Sequence, residues 1–535
     1  MFDYLTHPYP SRRTNVFARN GMVATSQPLA AEAGMQVLRT GGNAIDAAIA
    51  CAACLTVLEP TSNGIGGDAF ALVWTKGKLH GLNASGPAPR GLSIDRLQES
   101  GVSEIPDYGW IPVTVPGAPA AWAALSAKFG SLPLTEVLKP AIRYAEEGFP
   151  VSPTLGLNWK IAYDLLSSKL QGEMYRTWFE TFAPDGRAPA VGEMWRSEKH
   201  ADTLRSIAES NAESFYRGEL AEKIDAFSRS AGGYLRYEDL AAYEPLWVEP
   251  ISIDYRGHRV WEIPPNGQGL VAIMALNMLK GFDFSSKDDA ETYHRQIEAM
   301  KLAFADGKRY IADPGSMAVR ADELLSDGYA ASRRSLISDH ALFPEAGNPP
   351  KGGTVYLAAA DKDGNMVSFI QSNYEDFGSG LVVPGTGINL QNRGRNFSMD
   401  PNHDNSLQPG KRPYHTIIPG FMTKDNVPVG PFGVMGGFMQ PQGHVQVIMN
   451  MIDFGLSPQA ALDAPRWQWT NDKTVLLERG VPEHIAQQLG RRGHDVKIAL
   501  DSGTFGRGQI IRRDPDTGVL VGGTEPRTDG CVAAW

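Results

Sequence analysis

Three observations predict an α+β fold. From about residue 115 to 330 the apolar positions recur mainly at helical spacing, with Pro and Gly as punctuation. Beyond Thr354 the pattern changes to alternating runs separated by Gly-rich turns, which reads as strands. A chain of 535 residues can also bury a large core, in two or more domains or in one large interlocked body. Composition narrows the function: 42% hydrophobic and 21% charged residues are ordinary for a globular protein, and a net charge of -10 gives no electrostatic reason to bind nucleic acid or an anionic membrane. A small-molecule partner is expected.

Taken in order, the N-terminal stretch MFDYLTHPYPSRRTNVFARNG has prolines and charges where a secretory signal needs a continuous apolar segment. No run reaches transmembrane length, so the expected location is the cytoplasm. Two helices follow, PLAAEAGMQVLRT and NAIDAAIACAACLTVL, separated by Gly41-Gly42, with Asn43 as N-cap of the second. Cys51 and Cys54 form a CxxC in that small-residue helix, where no second cysteine pair supplies metal ligands, and three cysteines give no disulfide framework. TSNGIGGDAFALVWTKGKLHGLNASGPAPR reads as loop glycines and two paired strands. From about 115 to 330 patterns such as LTEVLKPAIRYAEEG and TYHRQIEAMKLAFADGKRYIAD are helical. The stretch from Ser338 to Gly353 lacks apolar periodicity and is expected to be an exposed loop. Helices are expected near SPQAALDAPRW and VPEHIAQQLGRRG. There is no internal repeat.

The chemistry concentrates where that loop ends, at Gly352-Gly353-Thr354. A threonine hydroxyl is a weak nucleophile that needs a nearby base. If the chain is cut before Thr354, the new α-amine, with a pKa of roughly 7.7 to 8.0, can be that base. Glycines without side chains leave the Gly353 carbonyl open to attack by the Thr354 hydroxyl. The alternation in TVYLAAAD and NMVSFIQS around Asp363-Gly364 predicts a hairpin. A two-residue loop places Thr354 opposite Asn373, and a three-residue loop places it opposite Ser372. Either way a hydroxyl or amide lies beside Thr354.

Several ordered motifs, GGNAIDAAIA, EPTSNGIGGDAF, PGAPAAW, PPNGQG, TVYLAAADKDGN, KRPYHTIIP and GGFMQPQGH, together resemble the γ-glutamyltransferases among the N-terminal nucleophile hydrolases over nearly the whole chain. The resemblance implies a four-layer αββα sandwich, made as one proenzyme that cuts itself into a large subunit, 1–353, and a small subunit, 354–535. It implies Thr354 as nucleophile, Gly353-Thr354 as the cleavage site, Ser372 in place of a supporting threonine, and backbone N–H groups of Gly436 and Gly437 as the oxyanion hole. It also leaves room for a homo-oligomer of the processed heterodimer. No cofactor and no metal are implied.

The same comparison of motifs marks departures in the substrate pocket. The arginine that grips a substrate α-carboxylate in the family corresponds to Ser85. The residues that hold the α-amine correspond to Tyr374, Arg393 and Asn396, and a paired serine becomes His415 and Thr416. An ammonium group wants a carboxylate, whereas Arg393 is cationic and suits a substrate carboxylate or a structural ion pair. The expected activity is hydrolysis of a γ-glutamyl or related carboxylate-bearing acyl amide through an acyl-enzyme, with transfer to an amino acid less favoured. Oxamate amidohydrolase or glutaryl-type acylase activity is the alternative. An uncleaved binding relative is the reading from a different class, and retention of Gly353-Thr354 and Gly436-Gly437 argues against it. His403, Asp404, His415 and His444 show no metal-ligand spacing. The glycines of GIGGD and GSGLVVPGTG lack the strand-to-helix context of a phosphate loop.

Overall fold

The computed structural model describes residues 13–344 and 353–535. Gly352 and the rest of 345–352, half of the loop expected before Thr354, fall outside the described residues; 338–344 carries no helix or strand, and Gly353 already belongs to a strand.

Two seven-stranded sheets form the middle of the molecule. Along the chain their strands are β1 (Val16–Ala18), β2 (Gly21–Thr25), β3 (Asp68–Thr75), β4 (Lys78–Ala84), β5 (Leu246–Val248), β6 (Ile251–Tyr255), β7 (His258–Glu262), β8 (Gly353–Asp361), β9 (Met366–Tyr374), β10 (Gly420–Lys424), β11 (Val427–Met435), β12 (Arg507–Arg513), β13 (Leu520–Thr524) and β14 (Cys531–Ala534). One sheet runs β14-β2-β8-β9-β3-β4-β5 and the other β1-β13-β12-β11-β10-β7-β6. Every pairing within them is antiparallel. They face one another through β8 and β9 on one side and β11 and β12 on the other.

Helices close both outer faces. The relevant ones are α1 (Pro28–Arg39), α2 (Ala44–Leu58), α3 (Pro153–Lys169), α4 (Gly269–Leu279), α5 (Ala290–Tyr310) and α6 (Met439–Ile452). α1 and α2 cover the first sheet, α4 and α6 the second, which gives the four layers αββα. α2 starts as expected: the Asn43 side chain accepts from the Asp46 N–H, and the Asp46 carboxylate accepts from the Asn43 N–H, both at 3.0 Å. All fifteen of its residues are buried, including Cys51 and Cys54, whose thiols burial pushes up. Their role is close packing between α1 and the hairpin β8-β9.

Two elements correct the sequence reading. The stretch expected to be mainly helical contains β5, β6 and β7; β6 and β7 are joined by Arg256-Gly257, both at positive φ (52° and 77°), with Tyr255 paired to His258. That is a two-residue hairpin whose short strands give a weak periodic signal. α6, directly after the glycine pair, is buried on all sides through Asn450, so it has no amphipathic stripe to detect. Among the described residues no helix is long and apolar enough to cross a membrane.

Candidate active site

Thr354 is the second residue of β8 and is buried. The hairpin follows one register from Ala360↔Met366 to Val355↔Gln371. Its loop has three residues, because the Asp361 carboxylate accepts from the Asp363 and Asn365 N–H groups at 3.0 Å and Gly364 takes the left-handed conformation, φ 84°. Of the two registers open to the sequence, this is the one that brings Thr354 to Ser372, and the Thr354 Oγ1–H donates to Ser372 Oγ at 3.2 Å. A bulge then shifts the pairing so that Gly353 faces Tyr374.

The bulge holds Tyr374 at φ 79°, in a region that a bulky L-residue rarely enters. Such a backbone costs on the order of 1–3 kcal/mol and persists where its surroundings enforce it. Here the Tyr374 N–H donates to Ser372 Oγ at 2.7 Å and the Tyr374 hydroxyl to Asn396 Oδ1 at 2.6 Å. The strained residue therefore sits across the ladder from Gly353 and orients the hydroxyl that meets Thr354.

From the other sheet, β11 ends at Met435 and the chain turns through Gly436 and Gly437, at φ 132° and 56°, into α6. Only glycine adopts that pair of conformations without strain. Neither N–H donates to the backbone of another described residue, and the positive end of α6 begins two residues later. Gln268 fixes the turn: its Nε2 donates to the carbonyls of Gly437 (2.9 Å) and Thr416 (2.5 Å). Gln440, in the first turn of α6, lies 3.4 Å from Thr354 Oγ1.

The expected substrate-binding positions form a buried network. Arg393 is fully buried; its Nε donates to Asp68 Oδ2 at 3.1 Å and its Nη1 to Thr416 Oγ1 at 2.6 Å, while the guanidinium lies 4.5 Å from the Tyr374 ring centre. His415 Nε2 is 2.9 Å from the same Asp68 oxygen, and burial together with Arg393 pushes its pKa down to about 4. It is thus neutral at pH 7 and donates to Asp68. Asn396 Nδ2 donates to the Tyr414 carbonyl, and Ser85 is buried with Asn83 and Asn266. Arg393 thus already holds a carboxylate, that of Asp68, which fits the structural ion pair weighed in the sequence.

Thr354 and Gly436 open instead onto a cavity of about 380 Å³. Its walls are apolar at Ile161, Met435, Phe438 and Leu476, and neutral polar at Thr61, Ser62, Asn158, Gln468, Thr470 and Thr504. Asp376 and Arg507 are its two charged lining residues. Ser85, Tyr374, Arg393, Asn396, His415 and Thr416 do not line it. Asp68, Gln268, Gln440, Asp376 and Arg507 were not singled out by the sequence; Asp68, Gln268 and Gln440 do lie in three of the quoted motifs, EPTSNGIGGDAF, PPNGQG and GGFMQPQGH.

Of the residues considered as metal ligands, His403 and Asp404 are neighbours, but Asp404 pairs with Arg309 and His403 Nδ1 accepts from the Asn405 N–H, while His444 pairs with Glu262 and His415 with Asp68. Among the described residues three potential ligands come together at His294, Glu298 and His494, and Lys301 already occupies the Glu298 carboxylate at 2.7 Å.

Two facing antiparallel sheets between helical layers, with a threonine at the start of an inner strand and a glycine turn opposite, define the N-terminal nucleophile hydrolase class. Within that class the chain belongs to the gamma-glutamyltranspeptidase family, whose model matches residues 30–535. It is 37% identical over 527 residues to the glutathione hydrolase-like YwrD proenzyme of Bacillus subtilis (strain 168), covering 97% of this chain and 99% of that protein. It is 34% identical over 531 residues to the oxamate amidohydrolase proenzyme of Klebsiella pneumoniae, covering 96% and 98%. The fold superposes on the crystal structure of cephalosporin acylase from Bacillus halodurans with a TM-score of 0.98 at 69% identity, covering 100% of this chain and 99% of that one.

Proposed function

We propose that the protein is a self-processing amide hydrolase in which Thr354 is both the agent of its own release and the catalytic nucleophile. The observation that carries this reading is the Thr354 hydroxyl, held by Ser372 at 3.2 Å and lining one cavity with Gly436. The Thr354 hydroxyl attacks the Gly353 carbonyl, the acyl group moves from nitrogen to oxygen, and water hydrolyses the ester. A large subunit, 1–353, and a small subunit, 354–535, result.

The freed α-amine then takes the hydroxyl proton as Thr354 attacks a substrate amide carbonyl, and returns it to the leaving amine. Water deacylates the ester by the same route. The N–H groups of Gly436 and Gly437 stabilise the tetrahedral oxyanion, each such donor contributing roughly 3 to 4 kcal/mol. The start of α6 adds its positive end.

The substrate is a small amide with a carboxylate on one half. Because Arg393 and Tyr374 fill the positions where γ-glutamyl relatives hold an α-amino acid, acylase-type hydrolysis is favoured over γ-glutamyl transfer. The names of the oxamate amidohydrolase and cephalosporin acylase relatives support that preference. Free thiols at Cys51, Cys54 and Cys531 fit a reducing compartment, and we place the enzyme in the cytoplasm.

Replacing Thr354 by Ala is expected to leave one full-length chain on a denaturing gel and to lower amide turnover by at least about 10⁴-fold. The wild-type protein should show a second chain whose N-terminal sequence begins TVYLA. A T354A protein that still splits at this bond would refute the mechanism.

A further inference from the structure

The cavity beside Thr354 contains an arginine that the buried network does not use. Building on the assignment of Thr354 as nucleophile, we propose that Arg507 is the specificity residue that binds the substrate carboxylate.

Arg507 is the one cation among the described residues that line the cavity. It opens β12, and its backbone partner in β11 is Met435, the residue before Gly436. Gly506, just before it, packs its Cα 3.2 Å from where a side chain on Gly436 would begin. The guanidinium therefore projects from a rigid strand next to the turn that receives the reacting carbonyl oxygen.

Its own electrostatic partner is weak. The approach of Arg507 Nη1 to Glu59 Oε1 is 4.0 Å, at the outer limit of an ion pair and beyond hydrogen-bond distance. The short bond of Glu59 is made to Ser26, whose Oγ donates to Oε2 at 2.5 Å, while the distant Oε1 is the oxygen that faces Arg507. Burial, opposed by Arg507, raises the Glu59 carboxyl to about 7, so near neutral pH it cancels the arginine only in part. A guanidinium that is 15% exposed and lacks a bidentate partner presents its N–H fork to the cavity. Arg393 is the contrast, fully buried with Asp68 and Thr416. Thus the charge that selects an acid substrate comes from the strand beside the oxyanion turn.

The carboxylate can belong to the acyl half or to the amine half, and matched amides separate these. The processed wild type, R507Q and R507K are to be assayed on glutaryl p-nitroanilide, on pentanoyl 4-aminobenzoate amide and on neutral pentanoyl p-nitroanilide. For R507Q the loss of kcat/KM on one of the acid amides should exceed the loss on the neutral amide by about 10- to 100-fold, mostly through KM. R507K should recover part of it. The acid amide that suffers identifies the half that carries the charge. Equal losses on all three overturn the proposal.

A second measurement does not depend on turnover. Glutarate and 4-aminobenzoate are titrated calorimetrically into the processed wild type and R507Q. Binding of one of them that weakens at least tenfold in R507Q supports the assignment; binding that is equal in both proteins, or absent in both, overturns it. Acid binding through Arg507 without hydrolysis of any amide would instead refute the hydrolase reading while leaving the arginine's role intact.

Discussion

At Arg393 a single side chain shows what the sequence carries and what it omits. The change of charge at that position is legible in the chain, and so is the choice between a substrate carboxylate and an internal one. The partner is not, because Asp68 lies 325 positions away and meets Arg393 only after β3 has docked on β9. Removing one member of a buried ion pair leaves a charge unpaired and costs about 3–5 kcal/mol. R393Q is therefore expected to lower the unfolding free energy by that amount, read as a lower urea midpoint, because Asp68 would keep only neutral His415. An unchanged midpoint would deny Arg393 its structural role. Thr354 and Ser372 are the opposite case: both are local to one hairpin, so strand alternation with an Asp-Gly turn narrows the partner of Thr354 to Asn373 or Ser372, and the three-residue loop selects Ser372.

Among the elements, legibility follows the same division. α1, α2, β3 and β4 announce themselves by caps, glycines and alternation, whereas α6 is hidden because burial on every side erases its period. The cavity wall is hidden for another reason, since it is assembled from segments around 61, 158, 376, 436, 468 and 504. One of these, α3, leaves an apolar stripe in water: Leu157, Ile161 and Leu165, four residues apart, are 41%, 57% and 43% exposed. Ile161, the middle residue of that stripe, lines the cavity together with neighbouring Asn158. An apolar half of a substrate would lie along it. I161S is expected to raise KM about 3- to 10-fold for amides with an aromatic or long alkyl half, through lost apolar burial, and to do so less for small polar ones. A KM that rises equally for both kinds would detach the stripe from substrate binding.

Across the whole molecule, two carboxyls, the buried Glu59 and the half-buried Glu375, tie stability to pH. Burial raises Glu59 and Glu375 from 4.5 to about 7, Glu375 with help from Asp107 and Asp376. Below the ordinary carboxylate value both are protonated whether folded or not. Between that value and about 7 the unfolded chain ionises first, so stability falls as pH rises, and above 7 the cost is constant. E59Q removes one contributor and should flatten the fall in urea midpoint between pH 5 and pH 8; an unaltered slope would assign it elsewhere. The sheet order β14-β2-β8-β9-β3-β4-β5 has a further consequence for a chain cut ahead of Thr354. The piece after the cut supplies β8, β9 and β14, the piece before it supplies the strands between and beside them, and the break falls at a strand end rather than along a seam. The two products are clasped like fingers of folded hands: they could part only by tearing open hydrogen-bonded ladders on both sides of β2. In a chain cut there, these ladders rather than a peptide bond would hold the two pieces together.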